Sequence, residues 1–315
     1  MNLTDVARFL RERDCFTILL HAYPDGDTIG SGYALCYALR KLGKKANVVC
    51  AHPIPRSYFF ITDSYEPMEF TTQTVVATDV ASPKLLGALA EQYPSVDLCI
   101  DHHGTNTHYA QHSFIDADAA SNAENILAVI EAMDLPIDTY IATCIYTGIS
   151  TDTGCFKHSN TTPRCHVVAA MLMEAGADVE LINQYMFDTK SRERIAIEKS
   201  ILDSLEFYAD GKIAFITVTK AMRDAAGIAE GELEGITSIP RQVEGVAIGC
   251  TIRETDKGDY KVSVRSRSTI NAADICALFG GGGHPCAAGC NFACNLTDLK
   301  QQLSAACLHA LECEQ

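Results

Sequence analysis

The sequence predicts an α/β protein of two domains: an N-terminal parallel-sheet domain and a smaller C-terminal α/β domain, joined by a connector helix. Three observations predict it. Apolar runs at residues 16–20, 74–77 and 96–100 alternate with helical patterns as far as residue 110, as a parallel sheet requires. Segments 246–253 and 260–265 read as paired strands around the turn Asp256-Lys-Gly258-Asp259. Between these halves, residues 162–208 read as mostly helical, with no repeat and no low-complexity linker. The expected boundaries are 1–188, 189–210 and 211–315.

The elements follow in order. After the first apolar run comes a polar loop, and Gly30-Ser31-Gly32 introduces a helix over 33–42. That helix carries Leu35, Leu39 and Leu42 at helical spacing, with Gly43 as its stop. Ser121 caps a helical stretch over 124–133, and Pro136 begins another that runs toward residue 149. Residues 191–205 are charged on one face and carry Ile195, Ile197, Ile201 and Leu205. This pattern suits a connector helix or an ordinary core helix. Residues 212–219 read as a strand, and a short helix over 271–279 leads into four glycines.

Acidic and imidazole side chains gather at the ends of the apolar runs. They are His21-Ala-Tyr-Pro-Asp25-Gly-Asp27, then Asp79, then Asp101-His102-His103, and later Asp152. Parallel strands deliver functional residues at their carboxyl ends, so these groups can converge on one crevice. Each piece alone has a plain reading. A histidine after a strand is commonly a surface residue, and Asp25 or Asp79 could be a helix cap or turn residue. The H-x-x-x-D-x-D spacing says more. Alternate residues of an extended chain face opposite ways, so Asp25 and Asp27 share one centre only if the chain curls, which Gly26 permits. Gly26 also lets the two carboxylates serve two adjacent ions. Asp-His-His in a row gains nothing in a core. Carboxylates mixed with imidazole suit Mn²⁺, Mg²⁺ or Fe²⁺ better than thiolate metals.

Gly280 to Gly283 have two readings: a flexible turn, or a backbone that approaches a ligand closely and offers it N–H groups. His284 follows immediately and favours the second. Arg265 and Arg267 lie just upstream, where a guanidinium could hold a phosphate or stack on a base. Otherwise they are a charged strand end in solvent.

Bulk properties narrow the setting. The chain has 315 residues, 47% of them hydrophobic, which suffices for two ordinary cores. No apolar run approaches the roughly 18 residues that span a bilayer, and the first residues lack a secretory pattern. Fourteen cysteines form no C-x-x-C pair, so the expected compartment is a reducing cytoplasm. Cys286, Cys290 and Cys294, spaced by four, read as thiols on a strand or loop rather than a soft-metal site. The formal net charge of −15 disfavours long duplex nucleic acid as a partner. A short oligonucleotide needs only a local pocket.

The segment from His21 to Ser31 resembles the first motif of the DHH phosphoesterase superfamily, and Asp101-His102-His103 matches the motif that names it. Gly148-Ile-Ser-Thr-Asp152-Thr-Gly-Cys-Phe156, with Asn160-Thr161-Thr162 after it, is similar to the fourth motif. Gly280 to Gly289 is similar to the signature of the associated DHHA1 domain. In the second motif Asp79 is present, while Val80 stands where a small polar residue is common. Length and spacing most resemble the NrnA type, the nano-RNases that also dephosphorylate 3′-phosphoadenosine 5′-phosphate.

The resemblance implies a DHH catalytic domain followed by a DHHA1 substrate-binding domain. It implies that His21, Asp25 and Asp79 hold one ion and that Asp27, Asp79, His102 and Asp152 hold another, with Asp79 bridging. The expected cofactor is two Mn²⁺ per site, with Mg²⁺, Fe²⁺ or Co²⁺ as alternatives. Two ions about 3.5–4 Å apart can activate a shared water as hydroxide for attack on phosphorus. His103 would touch the transferring phosphoryl, and Asp101 would orient an imidazole. Arg265, Arg267, Gly281, Gly282, Gly283 and His284 would bind the nucleotide. The expected function is hydrolysis of short RNA and 3′-phosphoadenosine 5′-phosphate, with no membrane partner and with a homodimer as an admissible assembly. Hydrolysis of cyclic dinucleotides or of pApA is the alternative, and an inactive nucleotide sensor is a third reading. A family II pyrophosphatase would lack the glycine-histidine signature. A RecJ-like exonuclease would be longer and less acidic.

Overall fold

The computed structural model describes residues 1–228, 233, 235–267 and 269–313. The chain forms two compact units, Met1–Thr189 and a second from Lys190 onward. No helix among the described residues is long and apolar enough to cross a membrane.

The first unit holds a five-stranded, wholly parallel sheet in the order β2-β1-β3-β4-β5. Its strands are β1 (Phe16–Leu19), β2 (Ala46–Val49), β3 (Thr74–Thr78), β4 (Leu98–Asp101) and β5 (His112–Ile115). Strands β1, β3 and β4 are buried throughout. Alternate residues feed two cores: Phe16, Ile18, Val76, Leu98 and Ile100 on one face, Leu19, Ala77 and Cys99 on the other. Burial on both faces is why these strands read as continuous apolar runs. Edge strands β2 and β5 gave no such signal, because each is only partly buried and carries polar residues.

The first long helix begins earlier than its leucine spacing indicated. It runs Gly26–Lys41, so Gly30-Ser31-Gly32 lies inside it. The glycines have a packing cause. A Cβ at Gly30 would overlap the Cys144 carbonyl oxygen, and one at Gly26 would overlap the Thr151 side chain. Gly26 therefore does not serve a curl; the helix itself turns the chain. These contacts press helix Gly26–Lys41 against helix Thr139–Asp152. The latter starts three residues after Pro136, where Asp138 accepts the Ile141 N–H as N-cap. Helix Asn122–Ala132 completes the layer, with Ser121 at its N-cap position.

The second unit opens with helix Arg192–Asp203, capped by Ser191. Ile197 and Ile201 are buried against Ile216 and Val218, whereas Ile195 is exposed. The expected helical region ends before residue 208, because β6 (Glu206–Tyr208) is already a strand. The mixed sheet has the order β10-β11-β9-β8-β7-β6. Its other strands are β7 (Ile213–Val218), β8 (Ile248–Glu254), β9 (Tyr260–Ser266), β10 (Gly282–His284) and β11 (Ala287–Phe292). The β8–β9 pair is antiparallel around a turn in which Gly258 takes a positive φ. Helices Ala272–Ala277 and Leu296–Glu312 cover one face.

The glycine run is neither a loose turn nor a bare loop. Gly282 and Gly283 belong to β10, paired with β11. A Cβ at Gly281 would overlap the Gly289 carbonyl oxygen, and one at Gly283 would sit 2.6 Å from Ala288 Cα. Close approach of the neighbouring strand accounts for these two glycines before any ligand is invoked.

Candidate active site

In a doubly wound sheet of this order, the crevice opens where strand order reverses, between β1 and β3. The acidic and imidazole groups gather there. His21 follows β1, and its Nε2 lies 3.5 Å from Asp25 Oδ1 and 3.8 Å from Asp79 Oδ2. His102 follows β4, and its Nε2 lies 3.6 Å from Asp79 Oδ1 and 3.7 Å from both Asp27 Oδ2 and Asp152 Oδ2. His21, Asp25 and Asp79 form one set of donor atoms within 4.8 Å of one another; Asp27, His102 and Asp152 form a second. Asp79 faces both sets, and His103 Nδ1 lies 3.5 Å from its Oδ1. All the sequence-predicted ligand candidates are thus brought together. Asp25 and Asp27, two residues apart, fall into different sets.

Local structure explains the placement. Asp25 is the N-cap of helix Gly26–Lys41, accepting the N–H groups of Asp27 and Thr28 at 3.1 Å. The plain reading as a cap is therefore correct for Asp25, and its carboxylate also reaches His21. Asp27 caps a different helix. Its oxygens accept the Asn122 N–H at 2.6 Å and the Ala123 N–H at 2.8 Å, at the start of helix Asn122–Ala132. Ser121 makes no side-chain bond there, so Asp27 meets the orphan donors and the positive end of the helix dipole. Asp79 adopts φ +60°, a left-handed conformation that aspartate tolerates better than most residues, while its N–H donates to Ile100 O.

The electrostatics fit a cation. Asp27 and Asp79 are 2% and 3% exposed. Burial raises the pKa of each well above the usual carboxylate range, and neighbouring carboxylates raise it further. Burial also raises Asp152. Asp25 ends below its usual value: burial pushes it up, but bonds from His21 and the helix N–H groups prevail. Asp79 Oδ1 is buried with no hydrogen-bond partner among the described residues. An orphaned carboxylate oxygen among like charges and imidazole nitrogens fits a bound divalent ion, since buried charges are normally paired or metal-bound.

Asp101 organises the neighbouring groups. It is fully buried, and its Oδ1 accepts the N–H groups of His102 and His103 and pairs with His103 Nδ1 at 2.8 Å. Its Oδ2 accepts Asn106 Nδ2 at 2.6 Å. Burial opposes ionisation, yet the bonds from His103 and Asn106 hold its pKa below the usual range. The same bond to Asp101 raises the pKa of His103. The imidazole bonded to Asp101 is therefore that of His103, while His102 Nδ1 faces the Ala119 carbonyl at 3.3 Å. Sequence reasoning missed Asn106, and no spacing in the sequence marks it. It also missed Asn125, whose Nδ2 donates to the Asp101 carbonyl. Asn160 lies against Asp152, its Nδ2 3.5 Å from Oδ2.

The remaining candidates lie in the second unit. Register places Arg265 opposite both Gly249 and Ala287, and His284 opposite Ala287. Residues in one transverse row share a face, so Arg265 and His284 project from the same side of the sheet. Arg265 is partly buried; burial, then the nearby Arg253, lowers its pKa. Its guanidinium donates from NH1 to Val264 O. Thr251 Oγ1 and Arg253 Nε, on neighbouring β8, are buried without hydrogen-bond partners among the described residues. Arg267 is separate. It lines a cavity of about 480 Å³ with Lys212, Asp210, Leu308 and Glu312. Gly282 and His284 are exposed.

Known proteins share both units. Residues 15–149 match the DHH family, N-terminal domain, and residues 210–308 match the DHHA1 domain. A Thermus thermophilus protein described as a bifunctional oligoribonuclease and PAP phosphatase, NrnA, is 36% identical over 279 residues, covering 86% of this chain and 82% of its own. The crystal structure of an exopolyphosphatase-related protein from Bacteroides fragilis superposes with a TM-score of 0.86 at 24% identity, covering 96% of this chain and 95% of that one. An exonuclease RecJ structure with bound manganese shares the fold at a TM-score of 0.53 and 13% identity, covering 98% and 94%. With two domain matches in series and a relative this similar along most of both chains, the protein belongs to the DHH–DHHA1 phosphoesterase family, of the NrnA type.

Proposed function

We propose that this protein is a metal-dependent phosphoesterase that hydrolyses very short RNA and 3′-phosphoadenosine 5′-phosphate. The observation that carries the reading is the pair of donor sets facing Asp79. The name of the Thermus relative supports the substrate class. His21, Asp25 and Asp79 hold one ion, and Asp27, Asp79, His102 and Asp152 hold the other. Carboxylate and imidazole donors suit Mn²⁺ best, with Mg²⁺, Fe²⁺ or Co²⁺ as substitutes. Two such ions supply a water of lowered pKa and offset charge on the phosphoryl oxygens. A sensor without activity would have no need of so complete a donor set.

The chain's own groups do the rest. Asp101 engages His103 Nδ1, which leaves Nε2 to reach a phosphoryl or leaving oxygen. Asn106 keeps Asp101 from turning away. In the DHHA1 domain, Arg265 and His284 grip the nucleotide from one face, with Gly281, Gly282 and Gly283 keeping the surface beside them low. Arg267 has a lesser part. Domain limits of 1–188 and 211–315, with 189–210 as connector, fit this division of labour. A net charge of −15 repels a long strand but not a short one whose phosphates meet cations directly. Fourteen free thiols fit a cytoplasmic setting. A homodimer is compatible with the reading.

The test is a substrate panel with Mn²⁺: RNA of 2 to 24 nucleotides, 3′-phosphoadenosine 5′-phosphate, pApA, cyclic dinucleotides and pyrophosphate. Turnover concentrated on 2- to 5-mers and the bisphosphate is expected. Tight nucleotide binding without turnover of any substrate would favour the sensor, and preference for cyclic dinucleotides would move the assignment there.

A further inference from the structure

Tyr23 lies between two of the candidate ligands, two residues after His21 and two before Asp25. It is 77% exposed, the most exposed large hydrophobic side chain among the described residues. A scattered exposed aromatic needs no explanation. This one is packed against a second ring. Its ring stacks on the His52 imidazole, with centroids 4.7 Å apart and planes 25° from parallel. The backbone beneath it is tied down as well. Ala22 N–H donates to Leu85 O at 2.7 Å, and the Cys50 thiol donates to His21 O at 3.3 Å. Pro24 restricts the next step of the chain. Leu85, itself 45% exposed, adjoins through that backbone bond. The segments carrying Tyr23, His52 and Leu85 follow β1, β2 and β3, at the carboxyl ends of the strands where the donor groups gather.

A flat ring stacked on a second ring, with most of its surface in solvent beside a phosphate-cleaving centre, is suited to one ligand shape. We propose that Tyr23, backed by His52, is a stacking platform for a nucleobase of the substrate. The inference rests on the phosphoesterase reading above and adds the group that recognises the base. Every base has a π-face, so such a platform grips nucleotides without strict sequence preference. His52 is a positioning residue: it holds the tyrosine ring at one angle.

Equilibrium binding separates this from a role at the phosphate. AMP and ribose 5-phosphate, which differ only in the base, are titrated calorimetrically into the wild-type protein and three variants. Tyr23→Ala should weaken AMP about tenfold and leave ribose 5-phosphate within twofold, as loss of one stacked base predicts. Tyr23→Phe should bind like wild type, and His52→Ala should fall between. With pApA as substrate, Tyr23→Ala should raise KM with little change in kcat. Equal losses for both ligands, an unchanged AMP affinity, a Tyr23→Phe as weak as Tyr23→Ala, or no wild-type preference for AMP would each overturn the proposal. Base-dependent binding through Tyr23 without RNA hydrolysis would sink the functional reading and leave the platform standing. RNA hydrolysis indifferent to Tyr23→Ala would do the reverse.

Discussion

The two units place polar groups on a sheet in different ways. In the first, a parallel sheet sends its strand ends to one crevice, where donor carboxylates and imidazoles lie within a few ångströms of one another, Asp27 and Asp79 buried and the other donors half-buried or more open. In the second, the groups stand in rows across a mixed sheet, on its exposed antiparallel end. Crowded like charges call for a counter-ion, whereas an arginine and a histidine spread over a face call for an extended anionic ligand. The proposed reading matches that difference by giving the chemistry to the first unit and recognition to the second.

Metal removal is the strongest way to break that division. EDTA should reduce hydrolysis of a 3-mer RNA to below about one-thousandth, and Mn²⁺ should restore it best. Recovery with Zn²⁺ alone and none with Mn²⁺ would remove the basis for the donor assignment.

Asp79→Ala comes next. It removes the group that faces both donor sets, so kcat should fall by about 10³-fold or more while circular dichroism stays native. Stability gives an independent readout. In EDTA near neutral pH, Asp79→Asn should melt at a higher temperature than wild type, because an acid whose pKa is raised by folding costs stability above its unfolded pKa and the amide does not. With Mn²⁺ the order should reverse. A folded Asp79→Ala protein with near wild-type kcat would end the two-ion reading.

A smaller effect sharpens the account of the glycine run. Gly281→Ala forces a methyl against the Gly289 carbonyl and should cost about 1–3 kcal/mol in urea unfolding. Gly282→Ala meets nothing nearby and should cost far less. Equal effects would show that β10 does not approach β11 as described.

The second unit should show the mildest kinetic change. Arg265→Ala should raise KM for 3-mer RNA about tenfold and change kcat less than threefold, because a holding contact is lost rather than one made at the transition state. Wild-type kcat/KM should fall steeply beyond roughly five nucleotides. An unchanged KM in the variant, or 24-mers cut as well as 3-mers, would leave the second unit without its assigned part.

Much of the first unit was legible because its signals are local. Strands buried on both faces show as apolar runs, and the polar groups that follow them stand out by contrast. The edge strands β2 and β5 were invisible for the opposite reason. The start of helix Gly26–Lys41 was misplaced because leucine spacing reports only the part of a helix that packs through large side chains. Its first turns pack through glycines against another helix. Nothing local marks Asn106, whose value lies in a single bond to a carboxylate oxygen.

The sequence by itself determined the class of fold, the two-domain order and the set of residues from His21 to Asp152 that could bind a metal. Residue type and short spacing carry that information. Only the tertiary structure decided which donor stands beside which. Asp25 and Asp27 part company because one caps its own helix and the other caps a helix nearly a hundred positions away. Asp101 attends His103 rather than His102, and two of the glycines are small because a neighbouring strand lies against them. These outcomes depend on contacts between segments far apart in the chain, which no local pattern encodes.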